Sequence, residues 1–341
     1  MSIKINKYDN LNGHDLCEII LENKHGVRIS LLNYGATLEK FEIPTKHGHE
    51  NILMSLKKPE DYSKERNFIG ATVGRVAGRI KDARWENGNQ TVHFIANNHQ
   101  HTLHSGGKLG LDNQVWDFEL KNRNDKVEVS FYFLDPDLAN HFPGNVKIKV
   151  TYSLDNDNAL KYEIEAVSDQ LTLFNPTNHT YFRLDGPDSS IEDLNLELDA
   201  DYYLPVDDQT LPAEAGMAKV KGTVFDFRKS RRIGDALKSD EHQVKVRNGF
   251  DHPFILNGNK IAATLTSNKN KRKLEISTNA QALVVFTANG FPKTDVLSHL
   301  HAHDGIALEA QAAPTNDPKL QMASLVPGEK FHRIVKWKIS Y

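Results

Sequence analysis

The sequence is poor in the features that mark most specialised protein classes. Of its 341 residues only Cys17 is a cysteine, which excludes an intramolecular disulfide and a thiolate metal cage. No apolar run approaches the roughly 20 residues a membrane-crossing helix needs. The N-terminal Met1-Ser2-Ile3-Lys4-Ile5-Asn6-Lys7 lacks the apolar segment of a signal peptide. These absences together suit a reducing cytoplasm. Charge of one sign is not in excess either: 42 Lys and Arg are interspersed with 45 Asp and Glu, for a net charge of −3. That balance argues against nucleic acid and against an anionic membrane surface as partners. Sustained helical periodicity, fixed-period repeats and flexible linkers are also missing.

What is there is alternation. Val27-Arg28-Ile29-Ser30-Leu31, Val127 to Phe133, Val146 to Tyr152, Leu160 to Ala166 and Val335 to Ile339 each place apolar residues at every second position, the pattern of a half-buried strand. Turn chemistry separates such runs at Glu86-Asn87-Gly88-Asn89, Asp155-Asn156-Asp157-Asn158 and Leu256-Asn257-Gly258-Asn259. Short helical pieces, Pro59-Glu60-Asp61-Tyr62 and Ile233-Gly234-Asp235-Ala236-Leu237, read as connectors. Crossover helices are missing, so the pattern predicts an all-β protein, a large antiparallel β-sandwich with few short helices, forming one domain over residues 1–341.

The chemistry is sought among sixteen histidines. Asn175-Pro176-Thr177-Asn178-His179-Thr180-Tyr181-Phe182 holds one of them in a polar, strand-prone run closed by two aromatics. Histidine titrates near neutral pH and can give or take a proton. Its complement is Glu309 in Gly305-Ile306-Ala307-Leu308-Glu309-Ala310-Gln311, a lone carboxylate in an apolar run. Gly70 to Ile80 carries spaced glycines with Arg75 and Arg79. It lacks the lysine-hydroxyl ending of a phosphate loop. Arg79 there offers a fork of donors to sugar hydroxyls, the alternative being a glycine-rich turn with two solvated arginines.

In His99-Gln100-His101-Thr102-Leu103-His104, a strand would set His104 on the face opposite His99 and His101. It would then face a ligand while the other two form a surface cluster. His299, His301 and His303, with Asp304 or Glu309, would suit a metal if they alternated along a strand, which makes a metal-dependent enzyme a rival reading. Asp251, before His252-Pro253, is held at an element edge by the proline and can accept two sugar hydroxyls.

Taken in order, Gly74-Arg75-Val76-Ala77-Gly78-Arg79-Ile80, Thr102-Leu103-His104, Asn175 to Phe182, Gly249-Phe250-Asp251-His252-Pro253-Phe254 and Leu308-Glu309-Ala310-Gln311 resemble the motifs of the aldose 1-epimerases (galactose mutarotases), over nearly the whole chain. The resemblance implies a β-supersandwich with a sugar cleft, interconverting the α and β anomers of a hexose without metal or organic cofactor. It implies Glu309 as the base at the C1 hydroxyl and His179 as the acid at the ring oxygen, with Arg79, His104, Asp251 and Tyr181 binding the sugar. An ionised carboxylate beside a protonated imidazole calls for a modest upward shift of His179 near neutrality.

Departures from the family pattern fall at Gly78 (usually asparagine), Ser105 (usually glycine), Arg183 (commonly asparagine) and His141. A slightly longer loop runs to Gly110-Leu111-Asp112. They bear on which sugar is preferred, whether free, phosphorylated or a disaccharide. Arg75, Arg183 and Lys108 are the cations that would matter for a phosphate. A non-catalytic sugar sensor on the same fold is a second alternative. The sequence leaves monomer and homodimer both open.

Overall fold

The computed structural model describes residues 1–341 and organises them around three antiparallel sheets joined by short paired ribbons. A five-stranded meander comes first: Ser2–Leu11, His14–Glu22, Arg28–Leu32, Thr37–Thr45 and Gly48–Asn51. The nine-stranded sheet runs, in spatial order, Asp117–Asn122, Lys126–Asp135, Val146–Asp155, Ala159–Ser168, Lys330–Ser340, Lys273–Thr278, Ala263–Ser267, Leu194–Leu198 and Arg231–Arg232. The six-stranded sheet is ordered Tyr181–Phe182, Ile306–Gln311, Ala282–Phe286, Asp251–Leu256, Ala200–Tyr203 and Ala218–Lys219.

The alternation read from the sequence is the alternation of burial. In Lys330–Ser340, Arg333, Val335, Trp337 and Ile339 are buried. Arg333, Val335 and Trp337 lie opposite Ile164, Tyr162 and Leu160 of the neighbouring strand, which are buried as well. Directly opposed residues share a face, so the Val335–Tyr162 and Trp337–Leu160 pairs extend one apolar surface. A single apolar cluster takes Phe41 from the meander, Tyr162 and Trp337 from the nine-stranded sheet, and Phe254 and Leu308 from the six-stranded one.

The turns follow their chemistry. Asp155 Oδ1 accepts from the N–H groups of Asp157 and Ala159, and Asn158 takes the left-handed conformation at φ 59°, which asparagine tolerates better than most residues. The Leu256 to Asn259 segment is no hairpin. It carries the chain from the six-stranded to the nine-stranded sheet, and the Asp199 carboxylate accepts from Asn257 and Asn259. The connector Ile233–Leu237 is α-helical, and a second short helix, His242–Arg247, arises where no period predicted one. No helix is long and apolar enough to cross a membrane.

The reading of Gly70 to Ile80 as a turn with two solvated arginines fails at Arg75, whose side chain is 1% exposed. Its Nε donates to Asp135 Oδ2 at 2.5 Å. Its other nitrogens donate to the carbonyls of Asp135, Pro136, Pro143 and Gly144 and to Thr172 Oγ1. A guanidinium can be buried when its donors are met in this way, and here it ties separate segments to the backbone that leads to Arg79. Removing one partner of such a pair strands the other charge. Arg75→Met is expected to lower the unfolding free energy by about 3–5 kcal/mol, read from urea denaturation. A loss below about 1 kcal/mol would put the pair in the class of dispensable surface bridges.

Candidate active site

The floor of the site follows from strand register. Across the six-stranded sheet Asp251 opposes Phe286, Phe286 opposes Ala307 and Ala307 opposes Tyr181. One row along, Pro253 opposes Val284 and Val284 opposes Glu309. These residues therefore point to one side, as does Gln311 two positions beyond Glu309. Asp251, Tyr181, Phe286, Glu309 and Gln311 line a cleft of about 260 Å³. The intervening residues Phe182, Leu308, Ala310, Leu283, Val285 and Phe254 face the apolar core.

The walls come from loops. Thr177–Asn178 pairs with Thr72–Val73, and Tyr181–Phe182 pairs with Ile306–Gln311, so His179 is held where the chain passes between two sheets. Its N–H donates to the Ala71 carbonyl at 2.8 Å, and its own carbonyl accepts from Gly70 N–H at 2.9 Å. Gly70 adopts φ +70°, and a Cβ there would come within 2.3 Å of the Leu38 carbonyl oxygen, so only glycine fits. A two-residue ribbon pairs Leu103 with Arg79, bringing Arg79 and the following His104 to the cleft.

His179 Nε2 stands 3.5 Å from Glu309 Oε1, both side chains being almost fully buried. Arg79 Nε donates to Asn98 Oδ1, and its Nη1 lies 3.9 Å from Asp251 Oδ2. His104 Nδ1 accepts from Gly78 N–H, which leaves the ring proton on Nε2. Burial holds His104 well below its ordinary value, with His179 and Arg79 adding to that, so it is a neutral donor. The His104 ring packs on Phe68 at 4.5 Å and edge-on to His179 at 5.4 Å. Tyr181 lies 5.0 Å from the His179 ring. Burial raises its phenol, helped by Glu309 and Asp251, and keeps it protonated.

The upward shift expected of His179 is reversed. Burial pulls it down to about 4. Burial pushes Glu309 up to about 8, with the Asp251 charge adding and Arg79 opposing. Desolvation disfavours each charged form more than the neighbours restore it. Near neutral pH the cleft thus keeps a neutral imidazole and a protonated carboxyl, one proton on the pair.

All six residues singled out from the sequence (His179, Glu309, Arg79, His104, Asp251 and Tyr181) line this one cleft. The strand expected over His99 to His104 is only Thr102–Leu103: His99 and His104 take left-handed φ values of 54° and 51°. His101 is not on the surface but 1% exposed, bonded to Asp82 N–H and to Gln209 Oε1. His299, His301 and His303 lie in turns and irregular chain rather than along a strand and bond apart. His303 Nε2 pairs with the Asn248 carbonyl, His301 lies 3.6 Å from Asp304, and neither nitrogen of His299 has a partner.

Of the departures, Ser105 braces the cleft loop, its Oγ accepting from Val76 N–H at 2.6 Å. Arg183 pairs with Asp304, and His141 Nδ1 meets the His93 carbonyl. Neither lines the cleft, nor do Arg75 and Lys108. Sequence reasoning passed over Gln311, Phe286, Asn67 and Phe68. Gln311 was legible from its two-residue spacing to Glu309. Asn67 and Phe68 reach the cleft through consecutive left-handed residues, φ 46° and 63°, which no local pattern announces.

Residues 18–336 match the family model described as aldose 1-epimerase. The aldose 1-epimerase of Escherichia coli is 34% identical over 332 residues, 94% of each chain. The maltose epimerase of Levilactobacillus brevis is 30% identical over 306 residues, 89% of this chain and 88% of that one. The crystal structure of a galactose 1-epimerase from Lactobacillus acidophilus superposes with a TM-score of 0.93 at 50% identity, covering 99% of this chain and 98% of that one. A β-fold cleft that gathers an imidazole, a carboxyl and further hydrogen-bonding groups thus agrees with relatives that span nearly the whole chain: the protein belongs to the aldose 1-epimerase family, isomerases that interconvert the anomers of sugars.

Proposed function

We propose that the substrate is a free, neutral hexose such as galactose or glucose, and that Glu309 and His179 carry its ring opening and closure. The observation behind this is the 3.5 Å His179–Glu309 pair, which burial biases toward a single proton by lowering His179 and raising Glu309. Exchange between a hydroxyl and a ring oxygen needs one proton donor and one acceptor, and a pair with no proton or with two lacks one of them. Sugar hydroxyls donating to Glu309, together with the Arg79 charge, favour its anion. The proton then resides on His179. Glu309 takes the C1 hydroxyl proton, His179 protonates the ring oxygen, and the C1–O5 bond opens to the aldehyde. Rotation about C1–C2 exposes the other carbonyl face, and closure reverses both transfers.

Arg79, Asp251, His104 and Tyr181 orient the ring. Arg79 is the one Lys or Arg side chain lining the cleft, and Asp251 beside it offsets its charge. That balance favours a neutral sugar over a phosphorylated one, because a phosphate calls for more cations than the cleft offers. A sugar sensor without catalysis has no use for an imidazole set against a carboxyl that shares its proton. The single free thiol, Cys17, accords with a cytoplasmic setting.

Glu309→Gln and His179→Asn are each expected to lower kcat by about 10²–10⁴-fold, followed by polarimetry of freshly dissolved α-galactose or α-glucose. Near-wild-type rates in either variant would sink the assignment. The pH profile of kcat/KM should form a plateau between about pH 4 and about pH 8. Below it a second proton, on His179, leaves no base. Above it, loss of the Glu309 proton leaves no acid. After subtraction of the buffer rate, an acid limb near pH 6.5, the ordinary histidine value, would contradict the buried, lowered imidazole.

A further inference from the structure

Three buried polar atoms among the residues lining the cleft have no partner: His179 Nδ1, Thr210 Oγ1 and Gln311 Oε1. Gln311 stands out. Its side chain belongs to a residue only 2% exposed, on a strand buried at all six positions. Leaving a buried amide oxygen unbonded works against folding, and a methionine or leucine at this position would avoid the cost. The strand opposite offers Ala282, too short and apolar to satisfy it.

The residue facing it across the cleft is Gly78. At φ +75° a Cβ added there meets nothing nearer than Gln311 Nε2, at 3.8 Å. A polar side chain at 78 would reach the amide and occupy it. With glycine there, the amide stays open to the cleft.

We infer that Gln311 is a substrate-recognition residue that holds one ring hydroxyl of the sugar, and that Gly78 keeps its amide free to do so. The inference rests on the proposed reading of the cleft as a hexose site. An amide and a sugar hydroxyl are matched in kind, each neutral and each both donor and acceptor. The position is matched as well. Two residues along a strand is about 7 Å, comparable to the width of a pyranose ring, and the two side chains share a face. A sugar whose C1 hydroxyl meets Glu309 has a further hydroxyl within reach of Gln311. Nothing else on that strand face between Glu309 and Gln311 could read it.

The test is a double-mutant cycle between enzyme and sugar. Mutarotation of glucose, and of the series of glucoses each lacking one hydroxyl other than that on C1, is followed by polarimetry with wild type and Gln311→Met. Removing a hydrogen-bonding partner from a fully built site is expected to cost roughly tenfold or more in kcat/KM. For one sugar of the series the variant should then cost nothing further, because the hydroxyl it would have bound is already gone. Gly78→Asn, which suits the left-handed backbone, is expected to give the same non-additivity by pairing with the amide. The melting temperature of Gln311→Met should equal or exceed that of wild type, since the substitution removes an unsatisfied polar group.

Equal losses for every sugar of the series, or a lowered melting temperature with uniform losses, would overturn the inference and make Gln311 a structural residue. A wild-type protein that accelerates none of the sugars would overturn the functional reading itself, and this inference with it.

Discussion

Everything on the floor of the cleft hangs on the register of one strand. Ile306–Gln311 is buried at every position, so period two divides it between a wet face and a dry one. Glu309 and Gln311 take the cleft, with Ala307 on the same side packed against Tyr181 in a smaller apolar cluster; Ile306, Leu308 and Ala310 take the main core. A slip by one residue would drive the carboxylate into hydrocarbon and turn leucine toward the sugar. The neighbours fix the register, because Ala282–Phe286 and Tyr181–Phe182 are bound by the same rule. The residues proposed to do chemistry are therefore set by the same apolar packing that closes the core.

The electrostatics extend that packing. Burial alone would leave two carboxyls and two imidazoles neutral and inert. Arg79 moderates this by standing beside Asp251 and opposing part of the upward pull on Glu309, so that a bound sugar's hydroxyls can complete the ionisation. Its place depends in turn on Arg75, whose donors gather the carbonyls of remote loops and hold the backbone four residues upstream. One arginine is spent inside the protein so that the next can stand at the cleft.

What the sequence disclosed, and what it did not, divides by the range of the physics involved. Strand alternation is a local period, so Val146 to Tyr152, Leu160 to Ala166 and Val335 to Ile339 are legible in the chain itself, as is the all-β sandwich they build. The site residues are legible as a set only through the order of their motifs, since each alone has a plain structural explanation. Loops carry no period. The strand expected over His99 to His104 gives way to left-handed turns, and His101 is internal because Gln209, more than a hundred residues away, closes over it. The direction of the His179 shift is also out of the sequence's reach. Desolvation depends on everything packed around the ring, of which the sequence names only the neighbours in the chain.

The strand Lys330–Ser340 lies in the middle of the nine-stranded sheet, between Ala159–Ser168 and Lys273–Thr278. It joins a half-sheet built from the middle of the chain to one built from later segments. On the ribosome, the two halves wait with facing edges exposed until residues 330–340 have been made. Unpaired edges recruit other chains, and pairings so distant in sequence form slowly. The dangerous interval in this protein's folding is therefore the wait for residues 330–340, and chaperone demand should concentrate there.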